Sequence, residues 1–262
     1  MPLMVVATPI GNLEDASPRM IRVLSESDLI LCEDTRRTRS MLSALSIAAP
    51  PLKACHAHNE PSRVPEVLVR LEAGQQLALV SDAGTPGVSD PGGIIVEAAH
   101  AAGHVVQCVS GPSSVTTALS VSGFLATPFH FAGFPPRKIG ALRAQVTSVS
   151  QMPGPVVFLE SGRRVGKLIA VLAELCPDRE LVLCRELSKK YEEVIRRPAI
   201  EMPTDEQRGE VVLVVGPGQP VAIEEEGASS DLKAIAGRLS QRWGCTKREA
   251  YNALMDLEKA RS

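Results

Sequence analysis

The stretch Leu77–Gly93, LALVSDAGTPGVSDPGG, decides how this chain is read. Leu77 to Val80 form a near-continuous apolar run of strand length, which breaks at Ser81-Asp82. Gly84, Pro86, Gly87, Pro91, Gly92 and Gly93 then follow within ten residues, a density that neither helix nor sheet absorbs. Glycine permits positive φ and close backbone approach to a ligand, while proline stiffens the loop. A buried strand feeding a rigid loop that opens a helix, here from Ile94, is how α/β proteins build ligand sites at strand carboxyl ends. A tight connection without a ligand needs less punctuation, and has no use for two aspartates, Asp82 and Asp90.

The same unit recurs on either side. Leu3–Ala7 breaks at Thr8-Pro9-Ile10-Gly11-Asn12, after which Ser17 and Pro18 start a helix. Leu29–Cys32 runs into Glu33-Asp34-Thr35-Arg36-Arg37, and Leu52–Cys55 into His56-Ala57-His58-Asn59-Glu60. Val105–Val109 runs into Ser110-Gly111-Pro112-Ser113-Ser114. Strand and helix alternate throughout, which predicts a mostly parallel, helix-flanked sheet. The alternation resumes with strands at Phe129–Phe134, Val156–Leu159 and Leu181–Cys184, and Tyr191–Arg196 and Val211–Val215 are expected to pair as a β-ribbon. The expected organisation is an α/β domain over 1–121 carrying the ligand loops and a second α/β domain over 122–216. A linker over 217–230 and a helical extension over 231–262 complete it. Two short helices are expected in the extension around Gly244-Cys245-Thr246, the second capped by Thr246 with Glu249 three residues on.

Composition narrows the function classes. The 262 residues are 44% hydrophobic and 22% charged, ordinary for a globular protein long enough for one large or two modest domains. Aromatics make up only 3%, which argues against a surface of stacked rings for single-stranded nucleic acid. The net charge of −2 provides no global basic field, so a polyanion must be met by a local patch. Six cysteines are scattered without a C-x-x-C pair, and no apolar run approaches a bilayer span. A reducing cytoplasmic location and no membrane are the expectation.

In an open α/β sheet the loops after parallel strands share one edge, so four of them converge on one crevice. Backbone N–H groups around Gly84-Thr85 can form a nest for a carboxylate, and Ser113 and Ser114 sit at a helix N-terminus. Asp82 can accept from an amine or a ribose hydroxyl. Neither the Walker pattern nor G-x-G-x-x-G is present, which counts against NTP hydrolysis and NAD. His56 and His58 beside Glu60 lack a third ligand and suit a polar turn, so no metal is expected. Basic residues gather at strand ends and helix starts, among them Arg36, Arg37, Arg137, Lys138, Arg163, Arg164 and Lys189. Each alone is a solvated surface charge, whereas together they suit phosphate contact.

Six motifs then stand in order: Ala7-Thr8-Pro9-Ile10-Gly11-Asn12-Leu13, Glu33-Asp34-Thr35-Arg36, His58-Asn59-Glu60, Ser81-Asp82-Ala83-Gly84-Thr85-Pro86 with Ser89-Asp90-Pro91-Gly92, Gly111-Pro112-Ser113-Ser114 and Gly133-Phe134-Pro135-Pro136-Arg137-Lys138. Over about Leu3 to Val215 the chain resembles the tetrapyrrole-methylase-like (class III) S-adenosylmethionine-dependent methyltransferases, in particular the bacterial branch acting on small-subunit ribosomal RNA. The resemblance implies two α/β/α domains, a homodimer, and S-adenosylmethionine folded between the domains. It implies 2′-O-methylation of a decoding-centre cytidine, nucleotide 1402 of 16S rRNA, on the RNA or the 30S subunit. By position, Pro9, Ile10, Gly11, Asp82, Gly84, Thr85, Ser113 and Ser114 would hold the cofactor, with backbone near Leu159 and Cys184 closing the pocket. Where the family usually reads Glu-Ser-Pro-His-Arg, this chain has Glu160-Ser161-Gly162-Arg163-Arg164, which puts an arginine in reach of phosphate.

Methyl transfer from a sulfonium is an in-line displacement that needs no metal, but a sugar hydroxyl needs a base or a cation beside its alkoxide. Asp34 or Glu160, with Lys138 assisting, is the expected catalytic set. The competing role for Asp34 is an ion pair with Arg36 or a helix cap. RNA contacts are expected from Arg36, Arg37, Arg137, Arg163, Arg164 and Lys189. Two other functions stay open: methylation of a tetrapyrrole or a protein by the same fold, and a non-catalytic cofactor-binding ribosome-assembly factor.

Overall fold

The computed structural model describes residues 2–48, 50–206, 208–218, 235–237, 240 and 246–261. Residues 1–218 form one compact unit and 219–262 a second. Within the first unit lie two five-stranded sheets.

The first sheet is all parallel, in the order β3-β2-β4-β1-β5, from β1 (Leu3–Val6), β2 (Leu29–Cys32), β3 (Leu52–Ala54), β4 (Leu77–Leu79) and β5 (Val106–Val109). Successive side chains of a strand point to opposite faces, so an unbroken apolar run must be covered on both. Met4, Val6, Ile30 and Ala78 pack beneath α1 (Pro18–Glu26) and α2 (Thr35–Ala44), which supply Met20, Leu24 and Leu42. Leu3, Leu29, Leu31, Leu77 and Leu79 pack beneath α3 (Glu60–Glu72) and α4 (Gly93–Ala101), which supply Val67, Leu71 and Ile95. Ser17 caps α1 by accepting from the Met20 N–H at 3.1 Å, with Pro18 in the first turn where its missing N–H costs nothing.

The second sheet is mixed, in the order β6-β7-β10-β8-β9. Only β6 (His130–Gly133) and β7 (Val156–Ser161) are parallel; β8 (Glu180–Arg185), β9 (Glu193–Pro198) and β10 (Glu210–Val215) join antiparallel. The expected ribbon between 191–196 and 211–215 does not form. β10 slots between β7 and β8, and β9 pairs with β8 at the edge. The physical reason lies in burial. Val211 to Val215 are all buried and need neighbours on both sides, whereas β9 alternates half-buried and exposed residues as an edge strand does. One face of this sheet packs on α6 (Ile139–Ser150) and α7 (Gly162–Leu175) through Phe158, Leu183 and Leu213. The other face, with Val157, Val182, Cys184, Val212 and Val214, meets Val115, Ala118 and Leu119 of α5 (Ser114–Ser122).

In the second unit, α8 (Lys247–Arg261) starts with the expected cap: the Thr246 N–H donates to Glu249 Oε2 at 2.8 Å and the Glu249 N–H to Thr246 Oγ1 at 3.3 Å. Most of the expected linker, 219–230, and most of the first expected helix lie outside the described residues.

Candidate active site

The loops after the parallel strands are fastened to one another before any ligand is considered. Thr8 and Gly84 exchange two backbone hydrogen bonds, 2.9 Å and 3.0 Å, forming an isolated bridge between the first loop and the Gly-Pro loop. Gly84 has φ +82°, which suits glycine, and its N–H is committed to Thr8 O, so the expected nest at Gly84-Thr85 lacks that donor. The Thr85 hydroxyl donates to Pro112 O at 3.2 Å, tying the same loop to the segment before α5. A side chain at Gly111 would press on Ala7, with a Cβ–Cβ distance of 3.1 Å.

The far end of the Gly-Pro loop is held by Glu60. Its side chain lies in the interior, and Oε1 accepts from the N–H groups of Gly92, Ile94 and Ile95 at 3.0, 2.8 and 3.1 Å. Gly92 precedes α4 and has no side chain to cap it; φ of +129° and an approach of 2.7 Å to Leu79 Cδ2 exclude a larger residue there. Glu60 supplies the missing cap from another element, with the sign of charge that a helix N-terminus favours. Asn59 completes the arrangement, accepting from the His56 N–H at 2.8 Å and donating to Ala54 O at 3.1 Å. Asn59 and Glu60 of the His58-Asn59-Glu60 motif thus form a structural lock.

Above these loops is a cavity of about 360 Å³, within the usual range for a small-molecule site. Its floor is the loops after β1, β2, β4 and β5, and its roof is the face and strand ends of the second sheet. Ile10, Val115, Leu159, Leu187 and Val212 make an apolar wall, and Cys184 also lines the space. Burial pushes the Cys184 thiol up to about 12, so it stays protonated and is no nucleophile. The polar side holds Glu33, Asp82, Asp90, Glu160 and Glu210 against only Arg37 and Lys189. Burial raises the Glu33 carboxyl, and neighbouring Asp82 raises it further. Burial likewise pushes Asp90 up to about 6, with Glu33 and then Asp82 adding like-charge repulsion. An excess of carboxylates taken out of water prefers a cationic guest.

Of the eight expected cofactor residues, Ile10, Asp82, Gly84, Thr85, Ser113 and Ser114 line this cavity. Pro9 and Gly11 do not line it. A Cβ on Gly11 would lie 2.3 Å from Lys189 Cγ and 3.1 Å from Leu187 O, so this glycine admits the 187–189 segment against the first loop. Asp82 Oδ2 pairs with Arg37 Nη1 at 3.2 Å, and Oδ1 accepts from the Asp34 N–H at 3.1 Å. Of the three residues expected to do acid–base work, Glu160 alone borders the cavity. Its Oε1 accepts from the Ser161 N–H at 2.8 Å, and its Oε2 pairs with Arg164 at 2.9 Å. Asp34 caps α2, accepting from the Arg36 N–H at 2.8 Å, and grips the Arg36 guanidinium, whose hydrogen bonds hold its carboxyl well below the usual range. Lys138 is exposed at the start of α6.

The basic residues divide by surroundings. Arg37 faces the cavity, and Lys189 Nζ bonds Glu186 Oε1 and Glu210 Oε2, both at 2.9 Å, at its rim. Burial pulls the Lys189 ammonium down, but the two carboxylates outweigh it and the net shift is upward. Arg137 and Arg164 line a second cavity, and Arg163 is exposed on α7. Glu33, Asp90 and Glu60 carry more of the site than their sequence context suggested. Asp90 was signalled by its place in Ser89-Asp90-Pro91-Gly92, but the role of Glu60 depends on a helix that begins more than thirty residues later.

A parallel sheet whose loops floor a cavity roofed by a second, mixed sheet has known counterparts. The sequence pattern of the tetrapyrrole (corrin/porphyrin) methylases matches residues 2–203. The chain belongs to that family. Among its relatives, ribosomal RNA small subunit methyltransferase I of Xylella fastidiosa is 42% identical over 220 residues, covering 81% of this chain and 80% of its own. The protein of the same name from Pseudomonas aeruginosa is 40% identical over 236 residues, covering 87% of this chain and 83% of its own. Solved structures show the same fold at lower identity. The methyltransferase CobJ superposes with a TM-score of 0.62 at 18% identity over 82% of this chain and 94% of its own. Uroporphyrin-III C-methyltransferase from Thermus thermophilus, complexed with S-adenyl homocysteine, gives 0.55 at 20% identity over 82% of this chain and 96% of its own.

Proposed function

We propose that the protein transfers the methyl group of S-adenosylmethionine to the ribose 2′-hydroxyl of a cytidine, nucleotide 1402, in the decoding centre of 16S rRNA. The observation that carries this reading is the carboxylate-rich cavity above the parallel strand ends, in a chain about two-fifths identical to named small-subunit rRNA methyltransferases. The residues fit the donor. Glu33, Asp82 and Asp90 suit a ligand carrying both a sulfonium and an ammonium, Ile10 and Val115 suit its adenine, and Ser113 and Ser114 offer hydroxyls at the start of α5.

When bound, the donor would supply an electrophilic methyl carbon open to in-line attack by the ribose oxygen, with the carbon–sulfur bond breaking and a neutral thioether as the leaving group. The chain has the remaining tasks. The stapled loops at Thr8, Gly84 and Thr85 hold the floor fixed, so the donor's methyl carbon and the ribose oxygen meet in one geometry. The apolar wall excludes water that would compete for hydrogen bonds. Glu160, at the boundary of the cavity, takes the 2′-hydroxyl proton as the oxygen–carbon bond forms. Asp34 serves by capping α2 and presenting its N–H to Asp82, and Lys138 acts from the surface on the RNA. The assembled 30S subunit in the cytoplasm is the proposed substrate, and the working form is proposed to be a homodimer.

The test is transfer of tritiated methyl from S-adenosylmethionine to 30S particles from a strain lacking this protein. Label is expected in the ribose of one cytidine, making the adjoining linkage resistant to alkali. Label in uroporphyrinogen, or in a base, refutes the reading.

A further inference from the structure

Beside the first cavity lies a second, of about 410 Å³, bounded by Pro135, Pro136 and Arg137 on one side and by the first turns of α7 on the other. Its floor is apolar, from Leu142 and Leu168. Its walls carry three cations, Arg137, Arg164 and Lys167, against one carboxylate, Glu160. The balance is opposite to that of the first cavity, where carboxylates outnumber cations.

The cations are arranged for a polyatomic anion. Arg164 is pinned through a single nitrogen, Nη2, which reaches Glu160 Oε2 at 2.9 Å and Pro135 O at 3.2 Å. That leaves Nε and Nη1 with no hydrogen bond among the described residues. Both two-donor forks of a guanidinium include Nη2, so with that nitrogen engaged Nε and Nη1 each offer a single charge-assisted hydrogen bond to an anion held beside them. Arg137 and Lys167 are exposed and pair with no carboxylate among the described residues, so their charge is directed to whatever enters. Glu160 lines both cavities, its side chain only 3% exposed, and forms the partition between them. A ribose and its own phosphate are covalent neighbours, and these two spaces are neighbours across one residue.

We propose that this second cavity binds a backbone phosphodiester of the RNA strand whose ribose enters the first. The proposal rests on RNA being the substrate. Arg164 gives one charge-assisted hydrogen bond to a phosphate oxygen while keeping its contact with Glu160, and Arg137 and Lys167 close on the anion from either side. The contact carries no base information; it fixes the register of the strand, so that one ribose stands beside Glu160.

Arg137→Gln and Lys167→Gln, singly and together, test it, since both side chains are exposed and make no hydrogen bond or ion pair among the described residues. KM and kcat for 30S particles are measured at several salt concentrations, with calorimetric binding of S-adenosylmethionine as a control on the first cavity. The double variant is expected to raise KM roughly 10- to 100-fold, as charge-assisted hydrogen bonds are lost. The logarithmic salt dependence is expected to flatten by about 0.7 for each phosphate contact removed from a single strand. Donor affinity stays within about twofold, the tenfold-per-1.4 kcal/mol scale making that a negligible change. Millimolar inorganic phosphate is expected to compete with RNA in the natural protein and not in the double variant. Unchanged KM and salt slope in the double variant overturn the proposal, including where inorganic phosphate binding alone is lost, which would mark a free-anion site. A natural protein that binds the donor yet methylates no RNA overturns the substrate reading and this proposal with it. Methylated RNA with indistinguishable variants overturns the phosphate site only.

Discussion

Glu60→Ala removes an acceptor from three N–H groups at once, those of Gly92, Ile94 and Ile95. Glu60 is 4% exposed, and Gly92 and Ile95 are buried beside it, so water cannot fully replace the lost oxygen. A buried donor left unpaired costs about 1–3 kcal/mol, and relaxation of the loop relieves part of the sum. The net loss expected is about 3–5 kcal/mol, comparable with breaking a buried charged pair. For a chain of this size that corresponds to a fall in Tm of roughly 10 °C. Glu60→Gln keeps an oxygen in place but gives up the negative charge at the N-terminus of α4, and is expected to lose about 1–2 kcal/mol. Urea unfolding followed by circular dichroism measures both. The loop that Glu60 anchors bears Asp82, Gly84, Thr85 and Asp90, so Glu60→Ala is also expected to weaken donor binding at temperatures where the protein is still folded. Stability of Glu60→Ala within about 1 kcal/mol of the natural protein, well under the penalty for orphaned buried donors, refutes the reasoning.

Asp90 binds its proton more tightly folded than unfolded, so between the ordinary aspartate range and about pH 6 the folded state holds more protons and stability falls as pH rises. Asp90→Asn is expected to reduce that fall, leaving the smaller part due to Glu33, and calorimetric donor binding in the natural protein is expected to strengthen from pH 5 to 7 as the carboxylates ionise; a flat profile counts against the shared carboxylate site. Gly11→Ala drives a methyl into Lys189 Cγ and is expected to cost about 1–3 kcal/mol, the range for overpacking, while loosening the bonds of Lys189 to Glu186 and Glu210. Thermal melts with and without donor measure it, and a fully stable variant with normal donor affinity argues against a tight 187–189 segment. Glu160→Gln is expected to lower kcat by about 10²-fold or more with donor affinity retained, whereas Asp34→Asn is expected to lower Tm with kcat little changed. Single-turnover methylation separates the two, and the reverse pattern would restore Asp34 as the base.

Much of the floor was legible in the chain because its signals are local. Leu77–Val80 reads as a buried strand from its own residues, and Gly84 and Gly92 mark positive φ by identity. Ser17-Pro18 and Thr246…Glu249 announce helix starts within four residues. The roof was less legible because its order is set by pairing across long separations. Val211–Val215 looks like any buried strand, and nothing in its sequence says that β7 and β8, rather than β9, flank it. The expected nest at Gly84 failed for a related reason: its N–H was taken by Thr8, a partner more than seventy residues away. Asp34 and Glu160 carry the same functional group, each near the end of a strand. Only the fold separates a carboxylate spent on capping α2 from one standing at the wall of a cavity.

The reciprocal bonds between Thr8 and Gly84 bear on how a guest gets in. That staple, together with the Thr85 and Glu60 anchors, leaves the lower half of the chamber no direction in which to yield without sacrificing several hydrogen bonds at once. The upper half is fastened as well. There Glu186 and Ser188 take left-handed backbone angles without being glycine, and Lys189 spans the rim between two acids. The Ser188 hydroxyl donates to Asp15 beneath it and the Glu210 N–H to Glu186, so the 186–189 turn is bolted to the floor and the chamber keeps one width across both halves.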